Sequence, residues 1–157
     1  MAADIIDIMI YESGSGGDLR IENDDIISIS GLTNQVYLAL FGGNIEQSTS
    51  DDLSELDQRL DWFGNELLDE EFQFNSLFEK RLTEVALNSA GISLLEDAAL
   101  EDLKYLKKYA NIEVEGSIVG INKFQLEVDL QEPDQQSTKV KFIWDGTKQE
   151  LIETITI

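Results

Sequence analysis

Toward the end of the chain, apolar and polar residues alternate one by one. Ile112, Val114 and Ile118 are interleaved with Glu113, Glu115 and Ser117, and Phe124, Leu126, Val128 and Leu130 with Gln125, Glu127 and Asp129. Successive side chains of a strand point to opposite faces, so this spacing predicts two half-buried strands. Val140, Phe142 and Trp144 continue the pattern against Lys139 and Lys141. Asp145-Gly146 then marks a tight turn, and Leu151 to Ile157 forms a last apolar segment. Pro133, the only proline, falls in the polar loop Glu132 to Ser137, where its missing N–H interrupts no ladder.

Upstream, the period lengthens to three and four. Leu77, Phe78, Leu82, Val85 and Ala86 form one stripe, which predicts a helix from about Asn75 to Ala90 with Gly91 as its stop. A second helix is predicted from Ser93, three residues before Glu96 in the capping-box spacing. It carries Leu95, Ala99, Leu103 and Leu106 and ends near Tyr109, with Lys107-Lys108 suited to the negative end of its dipole.

The first forty residues mix both patterns. Asp4 to Ile10 is β-like, and Ser13 to Gly17 is turn chemistry before Asp18 to Ile21, so a hairpin is predicted. Asn23-Asp24-Asp25 makes a second turn before Ile26 to Ile29. Gly31 precedes a short apolar helix, Thr33 to Phe41, which Gly42-Gly43 ends. Residues 44–61 are acidic, with Leu53, Leu56 and Leu60 at helical spacing; a short amphipathic helix and a loop that orders on assembly both stay open. The sum is α+β in one domain, residues 1–157: short N-terminal strands and a hairpin, two central packed helices, and a C-terminal antiparallel sheet.

Composition narrows the chemistry. The chain has neither cysteine nor histidine, which removes disulfides, thiolate metal sites, the commonest general base and the usual zinc ligands. Net charge is -21, concentrated in the first half: residues 1–79 hold 18 acids against Arg20 and Arg59, and residues 80–157 hold 14 against 9 bases. Such a field opposes nucleic acid and anionic lipid and favours proteins with basic or apolar faces. The N-terminus has no basic n-region, and no apolar run is long enough to span a bilayer, so a soluble, unexported protein is expected.

Few motifs point to a reaction. Asp24-Asp25, Asp51-Asp52 and Asp69-Glu70-Glu71 supply carboxylate pairs of the kind glycoside hydrolysis uses, but in so acidic a chain adjacent acids arise by chance and are ordinarily solvated. Neither acidic turn continues into a calcium loop. The Gly14 to Gly17 segment lacks the lysine and following helix of a phosphate loop. No cofactor is expected. Trp62-Phe63 is more informative: adjacent aromatics in a loop cannot both point inward as easily as alternating ones, and aromatics anchor interfaces, although burial of at least one is the ordinary outcome. Thr154-Ile155-Thr156-Ile157 looks like an edge strand open to pairing and equally like a final strand already paired.

Four stretches, taken in order, resemble the Mu-like phage baseplate protein family. They are Gly17-Asp18-Leu19 with Asp25 and Gly31-Leu32 leading to Val36 to Phe41; Asp61-Trp62-Phe63-Gly64-Asn65; Ser76 to Glu84; and Ala99 to Leu106 running into Ile112 to Glu115. The chain departs from that family just after Phe41, where Gly42-Gly43-Asn44 replaces an arginine-containing segment. The resemblance implies a non-enzymatic part of a contractile-tail baseplate wedge, similar to sheath initiators, with other baseplate and sheath proteins as partners and an oligomeric place in the tail. It implies no nucleic-acid or membrane partner, and a virion tail baseplate assembled in the host bacterial cytoplasm. Some relatives carry a lysozyme-like label, but no carboxylate pair here is singled out for that activity. Sheath joining by strand addition would engage Val140, Phe142, Trp144, Ile155 and Ile157, with Trp62 and Phe63 as further contacts. A carbohydrate-active enzyme using paired carboxylates and an acidic mimic of nucleic acid are the alternatives.

Overall fold

A computed structural model of the chain describes residues 6–12, 17–43, 67, 69 and 73–157. Its elements mix helices with antiparallel strands, the α+β arrangement expected from the changing period. Trp62, Phe63 and the acidic segment 44–61 lie outside the described residues.

The C-terminal strands are β7 (Asn111–Gly120), β8 (Lys123–Gln131), β9 (Thr138–Asp145) and β10 (Glu150–Thr156), joined as an antiparallel sheet in the order β10-β9-β8-β7. The register explains the alternation. Val114, Val128, Val140 and Thr156 lie in one row, Gly116, Leu126, Phe142 and Thr154 in the next, and Ile118, Phe124, Trp144 and Leu151 in a third. This face carries the buried side chains. The opposite face is polar: Lys139 and Lys141 lie 2.5 and 3.1 Å from the Glu127 carboxylate and hold it below its usual range. Ile118, which the alternation assigns to the apolar face of its strand, is exposed with Val119 and Ile121 at the β7–β8 hairpin tip.

Among the described residues three helices cover the inner face: α1 (Thr33–Phe41), α2 (Leu77–Glu84) and α3 (Ser89–Asp102), followed by a 3-10 turn, Lys104–Lys108. α1 has the bounds its sequence predicts and is buried on nearly every side, because Tyr37 and Phe41 meet Phe142 at ring separations of 6.5 and 5.2 Å while Phe41 meets Phe78 edge-on. The expected helix from Asn75 to Ala90 is shorter than predicted, and Gly91 does not stop it. Asn88 is the N-cap of α3, accepting the Gly91 N–H at 3.0 Å, so Gly91 belongs to the first turn of α3 and Ser93 lies inside it. An Asn cap is as good as a Ser cap, and here it comes first along the chain. A Cβ at Gly116 would lie 2.9 Å from both Ile92 and Phe124, so glycine is what lets α3 approach the sheet.

The N-terminal segments form a small β lobe. β1 (Ile6–Ile8) pairs with β6 (Ser28–Ser30), β2 (Ile10–Glu12) with β3 (Gly17–Leu19), and β4 (Ile21–Glu22) with β5 (Asp25–Ile26). Where partners change, Met9 donates to the Ile27 carbonyl, Ile27 to that of Arg20, and Arg20 to that of Met9, at 2.8, 2.9 and 3.0 Å. These bonds close a ring linking all three chain segments. Gly31, at φ +80°, turns the chain from the lobe into α1.

Candidate interaction surface and helix-capping cleft

The two edges of the sheet are treated differently. At β7 the outward Gly116 N–H donates to the Glu96 side chain of α3 at 2.7 Å, and α3 packs along the strand. A carboxylate thus occupies one outward donor of that edge, a device that discourages pairing with another chain.

At β10, among the described residues, no helix takes that place; β2 of the N-terminal segments is its neighbour there. Ile157 and Lys139 exchange both backbone hydrogen bonds at 2.9 Å. In an antiparallel ladder such pairs alternate with non-bonded ones, so Ile155 also bonds toward β9, while the N–H and C=O of Thr154 and Thr156 point away from it. Among the described residues no strand is hydrogen-bonded to that side, although β2 lies near β10. Beneath the same strands, the Thr154 and Thr156 hydroxyls and the Trp144 indole N–H are buried without a hydrogen-bond partner. Such groups are uncommon in finished cores.

The structure separates the residues that the sequence grouped as contacts. Val140, Phe142 and Trp144 are buried in the domain's own core, opposite Thr156, Thr154 and Leu151. Ile155 and Ile157 lie on the other face, in the rows of Lys141 and Lys139; Ile157 is 67% exposed and Ile155 half-buried. Only these two could meet a partner without opening the core. The alternation of β10 does not reveal this, because threonine and isoleucine are both β-branched; its register with β9 decides which of them face inward.

A second feature is an open cleft of about 360 Å³ where Phe74, Asn75 and Leu77 meet Asp102 and Tyr105. Ser76 caps α2: its hydroxyl accepts the Glu79 N–H at 2.9 Å and donates to the Leu40 carbonyl at 2.5 Å. Asp102, at the end of α3, accepts the Leu77 and Phe78 N–H groups at 3.1 and 2.7 Å. Two helices that are distant along the chain are thereby joined at one carboxylate, and the positive end of the α2 dipole faces it. Burial pushes the Asp102 carboxyl up to about 6 despite those donors. The other carboxylate lining the cleft, Glu101, is its chain neighbour and pairs with Lys104 at 2.5 Å. A glycosidase pair needs two carboxylates facing each other across a sugar, whereas these adjacent side chains diverge around a helix end. Asp102 acts here as a helix cap. Among the described residues no cluster of three or more potential metal ligands forms, and no helix is long and apolar enough to cross a membrane.

The raised carboxyl has a pH consequence. A carboxyl whose folded pKa exceeds the unfolded value binds its proton more tightly in the native state. Its contribution to stability is therefore present in full below about pH 4 and is lost as pH rises through about 6. Relative to Asp102→Asn, the native chain is expected to lose about 1–2 kcal/mol between pH 4 and pH 7, allowing for the solvent screening of a half-buried group. Urea melts of both proteins across that range check it; parallel pH profiles would show that the Asp102 carboxyl is not raised by folding.

No family model, curated protein or solved structure matches the chain.

Proposed function

We propose that the protein is a structural, non-enzymatic component of a contractile-tail baseplate wedge, contacting neighbouring baseplate proteins and helping to start sheath assembly. Its place is the virion tail, built in the host cytoplasm, and its partners are other baseplate and sheath proteins. The ordered resemblance of the four stretches supports this reading. The observation that carries it is the outer side of β10, where Thr154 and Thr156 turn their backbone groups away from β9 and no strand is hydrogen-bonded to them among the described residues, whereas at β7 the outward Gly116 N–H is taken by Glu96 of α3. A partner strand added there would gain main-chain hydrogen bonds, and the outward-facing Ile155 and Ile157 would help fix its register.

Deleting Thr154 to Ile157 would test the strand but would also uncover Val140 and Phe142, so proline substitution is the cleaner experiment. Thr154→Pro and Thr156→Pro remove outward donors and spare the bonds to β9. Each is combined by co-expression with the tail-cluster proteins of the source genome. The native chain is expected to be captured with a baseplate or sheath partner and to support sheath polymerisation, while the folded proline variants lose both. Sheath that forms equally well on the variants would overturn strand addition. Failure of the native chain to take any tail partner, together with peptidoglycan cleavage, would replace the structural reading by the enzymatic one.

A further inference from the structure

The β lobe is unusual in what it leaves in water. Ile6 is 72% exposed and Ile21 64%, and Ile8, Leu19 and Ile26 are exposed as well. Their placement follows from the pairing. Ile6 and Ile8 flank Asp7 in β1 and so share one face of its ladder with β6. Ile21 stands directly opposite Ile26 across β4 and β5. Two-stranded ladders are marginal in water unless an apolar face is covered, yet these ladders turn isoleucines outward. Single exposed apolar residues are common, whereas here two isoleucines share one face of β1 and two more stand opposite each other across β4 and β5, a grouping of the kind that binds partners.

The charges around these residues have one sign. Asp7, Glu22, Asp24 and Asp25 are exposed in the same lobe. Its one base, Arg20, is already paired with Glu22 at 2.5 Å. The Asp7 and Asp25 carboxylates also accept the N–H groups of Ile8 and Ile26 at 2.8 and 2.9 Å, which fixes these acids beside the apolar side chains. The lobe is held to the body as well: Asn34 of α1 bonds both Ile8 and Ile10.

We propose that the outward isoleucines of β1, β4 and β5 form a second interface, distinct from the outward backbone groups of β10, and that its occupant is a protein surface carrying apolar side chains interleaved with lysine or arginine. Charge selects that occupant. A second copy of this chain would bring two acidic rims together on molecules of net charge -21, and an anionic lipid surface would meet the same repulsion. A basic, apolar protein face gains on both counts. The proposal does not depend on strand addition at β10 and survives or fails separately from it.

The test uses the full chain and a short synthetic strand of alternating leucine and lysine, with a leucine–glutamate strand as control. The basic strand is expected to shift the amide resonances of residues 6–8 and 19–26, to bind more weakly as salt rises, and to lose about tenfold or more in affinity to the double variant Ile21→Ser/Ile26→Ser. The acidic strand is expected not to bind. Ile6→Ser, in a different ladder, is the second variant; retained amide protection at Met9, Arg20 and Ile27 shows that the lobe is intact in each. Binding that maps to other acidic surfaces, or that the serine variants leave unchanged, would reduce the effect to bulk charge and overturn the proposal. A concentration-dependent dimer in sedimentation that the double variant abolishes would overturn it in favour of a second copy.

Discussion

Replacing Phe142 with alanine is expected to lower the unfolding free energy by about 3–5 kcal/mol, the range for an aromatic removed from a close-packed core. The side chain is 2% exposed. Its ring packs against those of Tyr37 and Phe41 of α1, which also meet each other, so the substitution opens a cavity where the helix layer meets the sheet. Because α1 reaches the sheet through this ring, relaxation around the gap is restricted and the upper half of the range applies. Against a total stability of about 5–15 kcal/mol for an ordinary domain, the variant is expected to be partly unfolded at 37 °C. Chemical denaturation with matched slopes measures the loss; a change under about 1 kcal/mol would show that α1 does not rest on this ring. The result also bears on function. A Phe142 variant that fails to assemble reports on folding, whereas Ile155→Ser or Ile157→Ser, on the outer face, reports on the surface.

Asn34→Ala is expected to cost about 2–4 kcal/mol, with the damage concentrated in the lobe. The Asn34 side chain is buried, and its amide accepts the Ile10 N–H at 3.1 Å and donates to the Ile8 carbonyl at 2.5 Å, standing in for a neighbouring strand. Alanine leaves a donor and an acceptor unpaired in a partly buried site, each worth about 1–3 kcal/mol. Hydrogen exchange is the discriminating measurement: amides of Met9, Arg20 and Ile27 are expected to lose protection far more than those of β8 and β9. Uniform loss over the whole chain would mean that lobe and sheet unfold as one unit. Asn34→Asp, which keeps the acceptor but turns a buried carboxylate oxygen toward the Ile8 carbonyl, is expected to cost at least as much as alanine at neutral pH.

What the sequence reveals depends on how local the cause is. α1 is legible because Gly31, Gly42-Gly43 and the apolar spacing between them are all within a few residues. The C-terminal strands are legible because one face is buried and the other wet, which writes period two into the chain. The break between α2 and α3 is misplaced because the Asn88 cap competes with a plausible Ser93 cap, and Gly91 resembles a helix stop. The clamp at Asn34 and the cap at Asp102 are invisible for a different reason: each joins groups more than twenty residues apart, and nothing in the local pattern marks a polar residue as a bridge. For the site, the alternation that identifies Val140, Phe142 and Trp144 as a strand also sends them to the core, so grouping them with Ile155 and Ile157 as contacts overlooks the pleat. The exposed isoleucines of the lobe read simply as strand formers, since burial cannot be assigned to ladders so short.

The ring at Met9, Arg20 and Ile27 bears on the order in which the protein can be made. Each segment gives one hydrogen bond to the second and takes one from the third, so no two of them complete the closure. During synthesis, residues 6–12 emerge before the other two segments, and their hairpin with residues 17–19 remains provisional. Only when residues 25–30 arrive can the loop of bonds shut, and Gly31 then carries the chain directly into α1, whose Asn34 grips the first segment again. The lobe is thus a clasp fastened from behind: of its three segments, the one made first is locked by those made after it, and the loss of one link opens the ring while the paired ladders remain.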